Sequence, residues 1–350
     1  MTLVVWLVVG VIVGVIGEQI VHAVEARRQD QALDPALRPE RPKRKRSKGK
    51  IALVSLLALV LVVAAAGVGS WFWARAKFNK IERVEVGPAL RHGGGTGTNY
   101  LLVGTDARAE VSGNRSDSMI ILRVADGKAT MMSIPRDLWV KIADSGREQK
   151  INAAFNGGPQ NLIRTIDENL GIPVDRYMEI SFDAFGSLVD AMGGVTISFP
   201  HPAFDTLSGL NVTKAGPVTL NGEQALAYVR SRHYTEIIDG KEVPDNQNDF
   251  GRQLRQQTFL RVVLAKLAAS KNPITLASNS SKLADGLRID DEMRFTDAVS
   301  LGWDIAGKTP ETVRLPVLPL RINGQAALEL DQPDADKVLA QFEGKGNTPQ

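Results

Sequence analysis

Two aspartates and two arginines stand close together in the segment GTDARAEVSGNRSDSM, residues 104–119. Asp106 and Asp117 bracket a short loop, and Arg108 and Arg115 lie just inside them. Aspartate is common in turns, which accounts for each aspartate taken alone. Carboxylates together with guanidiniums are also the groups that hold a divalent cation and the oxygens of a phosphate. The segment therefore raises the hypothesis of a phosphate site that contains a metal ion.

Further charged residues stand where predicted secondary-structure elements end. SIPRD closes a strand with Arg136 and Asp137, and YVRSR closes a helix with Arg230 and Arg232. Asp137 could be a proton acceptor or only the salt-bridge partner of Arg136, and the sequence favours neither role. The recurrence of arginine at element ends strengthens the hypothesis of an anion site.

The segment NDFGRQLRQQTFL predicts a helix whose first turns carry charge on the buried face. At 100° per residue, Arg255 lies about 60° from Arg252 around the helix axis, and Gln256 lies about 40° from it. The apolar residues further along share this face: Phe259, Leu260, Val263 and Leu267. Buried guanidinium groups need a carboxylate or a bound anion as partner. Internal salt bridges and an anion site both remain open, and Asp249 is predicted as the N-cap.

Composition excludes several kinds of site. The chain has no cysteine and four scattered histidines, so thiolate chemistry is excluded and a zinc site is not expected. Its basicity is local, because residues 26–50 hold ten Lys or Arg against three Asp or Glu. The remainder of the chain is close to neutral, which argues against a nucleic-acid-binding domain.

One motif is a false match. GWDIAGKT, residues 302–309, fits the P-loop pattern GxxxxGK[ST] letter for letter. A P-loop follows a strand and opens a helix at its lysine. Here a helical pattern precedes the motif, Pro310 follows it, and a strand pattern comes next. We therefore predict that Lys308 binds no nucleotide.

The N-terminal region predicts membrane attachment. Residues 51–73 carry no charge over 23 residues and predict a transmembrane helix. The basic run before them places residues 18–50 in the cytoplasm as a loop and the C-terminal part outside. Residues 1–17 are also apolar and could form a first span or a shorter interfacial segment.

Alternating strand and helix patterns follow from Tyr100 onward. They predict an α/β fold with three layers, α-β-α, around a central mixed sheet. We predict a linker over residues 74–98, in which IERVEV could form a short strand. An extracytoplasmic domain over residues 99–344 and a disordered tail over residues 345–350 are predicted to follow.

The order of these motifs resembles the LytR-CpsA-Psr family of cell-envelope proteins. The matching segments, within residues 99–270, are LLVGTDAR, RSDSM, SIPRD, KINAAF, FGSLVDAMGGV, LNGEQALAYVRSR and DFGRQLRQQ. The resemblance implies a phosphotransferase that moves a glycopolymer from a polyprenyl pyrophosphate carrier to peptidoglycan through a phosphodiester bond. It implies a lipid-linked glycan, a peptidoglycan acceptor and the membrane as partners.

The family motifs also imply residue roles. Asp106 and Asp117 would hold Mg²⁺, for which Mn²⁺ could substitute. The catalytic arginines implied are Arg115, Arg136, Arg230 and Arg232. Further pyrophosphate contacts would come from Lys150, Arg252, Arg255 and Gln256. Phe259, Val263 and Leu267 would line part of a tunnel for the prenyl chain.

The residues also leave other functions open. The same site could hydrolyse polyprenyl pyrophosphate with water as the acceptor. The chain could also be a non-enzymatic, membrane-anchored protein that binds a lipid-linked glycan and regulates other enzymes. A membrane-bound transcription regulator is disfavoured, because the basic segment has no helix-turn-helix pattern.

Overall fold

The computed structural model describes residues 67–91, 97–105, 116–269, 286–305 and 308–343. The predictions for residues 1–17 and 18–50 and for the tail 345–350 lie outside these residues. The predicted span 51–73 is described only from residue 67 onward.

The described residues form seven α-helices and seventeen β-strands. The helices are α1 (67–78), α2 (Pro159–Leu170), α3 (Phe182–Ala191), α4 (Gly222–Arg230), α5 (Asn248–Ala269), α6 (Phe295–Ile305) and α7 (Asp334–Leu339). The strands of the main sheet are β1 (Glu82–Val84), β2 (Thr98–Thr105), β3 (Ser116–Ala125), β4 (Lys128–Ile134), β7 (Arg176–Ser181), β14 (Leu287–Asp290) and β15 (Glu311–Arg314). The smaller sheets contain β5 (Trp139–Lys141), β6 (Glu148–Lys150), β8 (Val195–Phe199), β9 (Ala203–Asp205), β10 (Leu210–Val212), β11 (Gly216–Leu220), β12 (Thr235–Ile238), β13 (Lys241–Pro244), β16 (Val317–Ile322) and β17 (Gln325–Leu330).

The main sheet has seven strands in the order β1-β14-β7-β2-β3-β4-β15. Strands β2, β3 and β4 form an antiparallel meander, whereas β2 pairs with β7 and β4 pairs with β15 in parallel. The sheet is therefore mixed, as predicted, and the three strands predicted from Tyr100 to Pro135 form its centre.

Apolar side chains on both faces of this sheet explain its helical cover. Leu101 and Val103 of β2 pack in one core with α2, whereas Tyr100 of β2 faces a second core with α6. A strand that is apolar on both faces is stable only when both faces are covered. The result is the predicted three-layer arrangement, with α2 on one side and α5 and α6 on the other.

A third core lies beside the main sheet. It joins α3, α4 and α5 to the hairpin of β8 and β11 and to the four-stranded sheet β10-β9-β12-β13. The segment GGVTISF does form a strand, β8, as its pattern predicts. That strand belongs to a two-stranded sheet rather than to the main one.

The segment predicted as a linker, residues 74–98, contains a short strand within IERVEV, at Glu82–Val84, which the sequence had left possible. Strand β1 pairs in parallel with β14, and Val84 and Val86 are buried in the core beneath α2. These apolar side chains alternate with charged ones, so the segment completes the edge of the sheet.

The described part of helix α1, residues 67–78, overlaps the end of the predicted membrane span. Its Trp71 packs edge-to-face on Phe295 of α6, with the ring centroids 4.8 Å apart, and about half of Trp71 stays exposed. Within the described part of the chain, no helix combines the length and apolar character that crossing a bilayer requires.

The structure agrees with the rejection of the P-loop match. The helix α6 ends at Ile305, before the lysine, and the strand β15 follows at Glu311. This order is the reverse of the strand–loop–helix arrangement that holds nucleotide phosphates.

Candidate active site at the edge of the main sheet

Four strand ends meet at one edge of the main sheet. Strands β2, β4 and β7 finish there, and the antiparallel strand β3 begins there. Thr105 pairs with both Ser116 and Ser181, and Met119 of β3 pairs with Ile134. Residues that follow β2 and β4 in sequence are thereby brought to the same edge.

The two predicted metal ligands, Asp106 and Asp117, are not described as side chains, so their predicted role stays a prediction. Asp106 directly follows β2 in the chain, and neither it nor Arg115 is described. The backbone of Asp117 lies in β3, one residue beyond the partner of Thr105, and its side chain is not described. Among the described residues, no group of three or more Asp, Glu or His side chains is arranged to hold a metal ion.

Helix α5 begins over the same edge and brings its arginines inward. Arg252 and Arg255 are 3% and 8% exposed, whereas Leu254 on the other side of the helix is 46% exposed. The sequence prediction that these guanidiniums share the buried face is confirmed. Phe259 and Val263 continue this face into the third core, and the Leu267 side chain is not described.

Asp249 is the centre of an ionic cluster. Its Oδ1 lies 2.7 Å from Nη2 of Arg252, 3.8 Å from Nε of Arg136 and 3.9 Å from Nε of Arg232. We call these four residues the arginine cluster. Three guanidiniums from three separate elements thus converge on one carboxylate oxygen.

The N-cap prediction for Asp249 is wrong by two positions, because Gln247 is the residue that precedes the first helical one. Helix α5 starts at Asn248, so Asp249 lies within the first turn. A carboxylate there still favours the helix, because the first-turn N–H groups carry partial positive charge. Oδ2 of Asp249 also accepts a hydrogen bond from Nε2 of Gln253, at 3.2 Å.

Arg136 also lies close to a second carboxylate, that of Asp137. Its Nε is 3.6 Å from Oδ2 of Asp137, whose Oδ1 is 2.8 Å from Nζ of Lys150. All three side chains are about one quarter exposed. Asp137 thus bridges Arg136 and the predicted Lys150, and its role as a proton acceptor stays open.

Arg255 and Gln256 contact the end of α4. Arg255 pairs with Asp245 at 2.8 Å and donates from Nη2 to the carbonyl oxygen of Ser231 at 2.9 Å. Gln256 donates from Nε2 to the carbonyl oxygen of Val229 at 3.2 Å. In the structure both side chains hold the segment that carries Arg230 and Arg232, and their predicted contact with phosphate stays a prediction.

Two buried residues at the site were missed in the sequence. Gln257, beside the predicted Gln256, donates to Oγ of Ser133 at 2.9 Å and ties α5 to β4. Asp205 ends β9 and is 1% exposed. Burial alone would raise the pKa of Asp205, but hydrogen bonds from Ser231, His233 and the following turn outweigh burial and lower it.

Helix α4 itself is positioned by local sequence signals. Asn221 and Gln224 form a reciprocal capping box at its N-terminus, and Arg230 is its last residue. Arg230 is partly buried, and Arg232 follows after a single serine. The site therefore gathers cationic side chains from β4, β6, α4 and α5 at one edge of the sheet.

Known proteins share this architecture and these motifs. The family model for the LytR_cpsA_psr family matches residues 75–344, and the chain belongs to that family. Its domain thus begins within the segment that was predicted as a linker.

Curated relatives carry cell-wall names. The probable cell wall biosynthesis protein LcpB of Corynebacterium glutamicum is 34% identical over 209 residues, 55% of this chain and 47% of LcpB. The polyisoprenyl-teichoic acid–peptidoglycan teichoic acid transferase TagV of Bacillus subtilis is 31% identical over 209 residues, 57% of this chain and 50% of TagV. The chain thus matches about half the length of these two relatives.

A solved structure has the same fold. The LytR-Csp2A-Psr enzyme from Actinomyces oris superposes with a TM-score of 0.63 and 25% sequence identity, covering 75% of this chain and 96% of that one. The predicted α/β fold and the family resemblance are confirmed.

Proposed function

We propose that this protein is a phosphotransferase that moves a glycopolymer from a polyprenyl pyrophosphate carrier to peptidoglycan. The observation that carries the proposal is the arginine cluster, in which Arg136, Arg232 and Arg252 converge at the sheet edge. Membership of a family with relatives named as teichoic acid transferases supports the reaction class. Arginine forks suit the several oxygens of a pyrophosphate.

The reaction transfers a glycosyl phosphate. A hydroxyl oxygen of the acceptor attacks the phosphorus that bears the glycan, and the bond from that phosphorus to the polyprenyl phosphate oxygen breaks. A phosphodiester forms, polyprenyl phosphate leaves, and the hydroxyl proton passes to solvent. Arg136, Arg230, Arg232 and Arg252 would stabilise the charge that grows on the leaving group, with Arg115 as a further contributor. Preorganised cations of this kind lower such barriers strongly.

We also propose a Mg²⁺ site formed by Asp106 and Asp117. The irregularity between β2 and β3 supports it: Ser118 pairs with Gly104 and Ser116 with Thr105, so the backbone of the intervening Asp117 lies beside Thr105, the residue before Asp106. Two carboxylates with substrate oxygens suit Mg²⁺, which binds few protein ligands and keeps several waters. When bound, the ion would offset charge on the pyrophosphate.

The prenyl chain requires an apolar surface next to the arginines. Phe259 packs against Phe185 of α3 with ring centroids 4.8 Å apart, and Val263 lies one turn further along α5. This face leads from the arginine cluster into the third core. We propose that it forms one wall of the lipid site, together with Leu267.

Membrane attachment is part of the proposal. The uncharged residues 51–73 would anchor the protein, the basic residues 18–50 would stay in the cytoplasm, and residues 1–17 could add a first span. The catalytic domain would then act outside the cell membrane, at the surface where a lipid-linked donor is held.

A product assay tests the function. The full-length protein in liposomes is incubated with a polyprenyl-pyrophosphate-linked glycan, Mg²⁺ and peptidoglycan fragments, and the products are analysed by mass spectrometry. We expect a phosphodiester-linked adduct that is lost with EDTA and with Asp117→Ala. Arg164→Gln, which alters an exposed arginine of α2, is the matched control and should leave the yield unchanged.

The other products separate the alternatives. Polyprenyl phosphate with free glycan phosphate and no adduct would identify a hydrolase. Lipid binding without either product would identify a non-enzymatic binding protein. An undiminished yield with Asp117→Ala or with EDTA would contradict the proposed metal site, and the proposed transferase activity would still stand.

A further inference from the structure

Arg230 and Arg232 lie on either side of a single residue, Ser231, where α4 ends. Ser231 has extended backbone angles, so the helix stops at Arg230 and the chain turns toward β12. The directions of both arginine side chains therefore depend on the conformation of residues 231–233. Long cationic side chains bind an anion well only when their backbone is held in place.

The carboxylate of Asp205 fixes this turn from one side. Its Oδ2 accepts hydrogen bonds from Oγ of Ser231 at 2.7 Å, from the backbone N–H of His233 at 2.9 Å and from that of Arg232 at 3.0 Å. These three donors belong to consecutive residues. A single oxygen thus sets the path of the backbone that carries Arg232.

The second oxygen of Asp205 is also used. Oδ1 accepts from the backbone N–H groups of Leu207 at 2.9 Å and Ser208 at 3.2 Å, in the turn after β9. The carboxylate thus joins that turn to the end of α4. An ionised carboxylate is an acceptor only, and both of its oxygens can accept several bonds. An asparagine would turn an N–H₂ group toward some of these donors.

Helix α5 holds the same turn from the opposite side. Arg255 donates to the carbonyl oxygen of Ser231, and Gln256 donates to that of Val229. The turn has its N–H groups bound by Asp205 and its carbonyl groups bound by α5. Ordering from both sides is what a preorganised binding segment requires.

We infer that Asp205 is a positioning residue for the pyrophosphate site, acting through the backbone of residues 231–233 on Arg230 and Arg232. The inference rests on the proposed function, since it assigns the two arginines to an anion. Asp205 itself is buried and contacts the turn rather than the ligand.

Calorimetric titration of the full-length protein with inorganic pyrophosphate tests the inference. We expect Asp205→Asn to weaken binding about tenfold, in line with the loss of hydrogen bonds to a charged group. In a background that carries both Arg230→Gln and Arg232→Gln, the same change should alter affinity less than twofold. This non-additivity distinguishes positioning from a general effect on stability.

A buried aspartate elsewhere provides the control. Asp290 is fully buried and accepts a hydrogen bond from the backbone N–H of Tyr177 at 3.0 Å. Asp290→Asn should leave pyrophosphate affinity unchanged whatever it does to thermal stability. If Asp205→Asn does not fold, Ser231→Ala removes one of the same hydrogen bonds and should weaken binding about two- to fivefold.

The possible outcomes separate the two proposals. Equal affinity of the wild type and the folded Asp205→Asn variant would overturn the inference. An equal loss of affinity in the wild-type background and in the Arg230→Gln, Arg232→Gln background would also overturn it, as would a wild type that binds no pyrophosphate. With an Asp205→Asn variant that does not fold, unchanged affinity of Ser231→Ala would overturn it. If the expected affinities are found but no adduct with peptidoglycan forms, the transferase fails and the role of Asp205 stands.

Discussion

Two ionic groups in this protein combine the same types of side chain, arginine and carboxylate, in different arrangements. In the arginine cluster, three guanidiniums surround one carboxylate oxygen, and the Arg232 side chain is 38% exposed. In the main sheet, Glu179 is 3% exposed, and Nη1 of Arg288 lies 3.2 and 3.3 Å from its two carboxylate oxygens. We call the second group, formed by Glu179, Arg288, Tyr177 and Glu82, the sheet cluster.

In the sheet cluster, the arginine is paired with carboxylates of the protein itself. Tyr177 donates to Glu179 at 2.9 Å, and Nε of Arg288 donates to Glu82 at 2.9 Å. Burial alone would lower the pKa of Arg288, but Glu179 and Glu82 outweigh it and raise that pKa. Here one cation serves two carboxylates within the protein.

The arginine cluster has the opposite balance. Its four described members are three guanidiniums and one carboxylate, and the group lies at the sheet edge, where strands end. We propose that the place in the fold and the ratio of charges separate a ligand site from a structural ion pair. The predictions below test this separation.

The largest expected effect is on stability. Glu179→Ala should reduce the free energy of unfolding by about 3–5 kcal/mol, because it leaves the buried Tyr177 hydroxyl without this acceptor and Arg288 with the exposed Glu82 as its remaining carboxylate. Denaturant unfolding measures this change. A loss below about 1 kcal/mol, well under that range, would show that the sheet cluster is not structural.

Arg232→Gln should lower transfer activity strongly and stability little, the reverse of what is expected for Glu179→Ala. Transfer should fall by about 10²–10³-fold, as when one group that stabilises transition-state charge is removed. The free energy of unfolding should change by less than about 1 kcal/mol, because the side chain is partly exposed. Initial rates and unfolding curves are measured on the same preparation. A parallel loss of transfer activity and of stability would contradict the comparison.

The pKa of Asp205 predicts a dependence of stability on pH. Its pKa is lowered by hydrogen bonds from Ser231, His233 and the following turn, which outweigh burial. The stabilisation is therefore fully present above the unfolded pKa of about 3.9. It is lost as pH falls through the folded value.

Thermal melting from neutral pH to about pH 2.5 checks this dependence, since the range crosses the unfolded aspartate pKa. The difference in Tm between the wild type and Asp205→Asn should shrink below about pH 4. Burial raises the pKa of Asp290, so Asp290→Asn should gain relative stability as pH rises. A constant difference in Tm for Asp205→Asn would show that its carboxylate form does not matter.

The smallest effect is expected at the false P-loop. Lys308→Ala should leave transfer within about twofold and stability within about 0.5 kcal/mol, as for an ordinary surface change. Its backbone N–H caps the end of α6 by binding the carbonyl oxygen of Ile305, a bond that alanine keeps. A large loss of activity would mean that the lysine contacts substrate.

Local patterns predicted the central strands and the inward arginines of α5. Short apolar runs and helical spacing are properties of short segments, so they can be read without a fold. The start of α5 was misplaced by two residues, because aspartate is a strong helix-capping type and Gln247, which precedes the helix, is not.

Features that depend on distant partners were missed. A short strand in IERVEV was left possible, but its place in the main sheet was not predicted, because it depends on pairing with β14 about 200 residues further along the chain. Asp205 looks like an ordinary turn residue until β9 brings it to Ser231, 26 residues later. The sequence carries no local mark of either contact, since each arises only from the assembled sheets.

A crystal structure of the protein with a polyprenyl pyrophosphate tests the central claim most directly. The account predicts that phosphate oxygens lie within hydrogen-bond distance of Arg136, Arg232 and Arg252. It also predicts that the prenyl chain runs along Phe259 and Val263. A pyrophosphate bound elsewhere, with the three guanidiniums still gathered on Asp249, would show that the arginine cluster is structural like the sheet cluster.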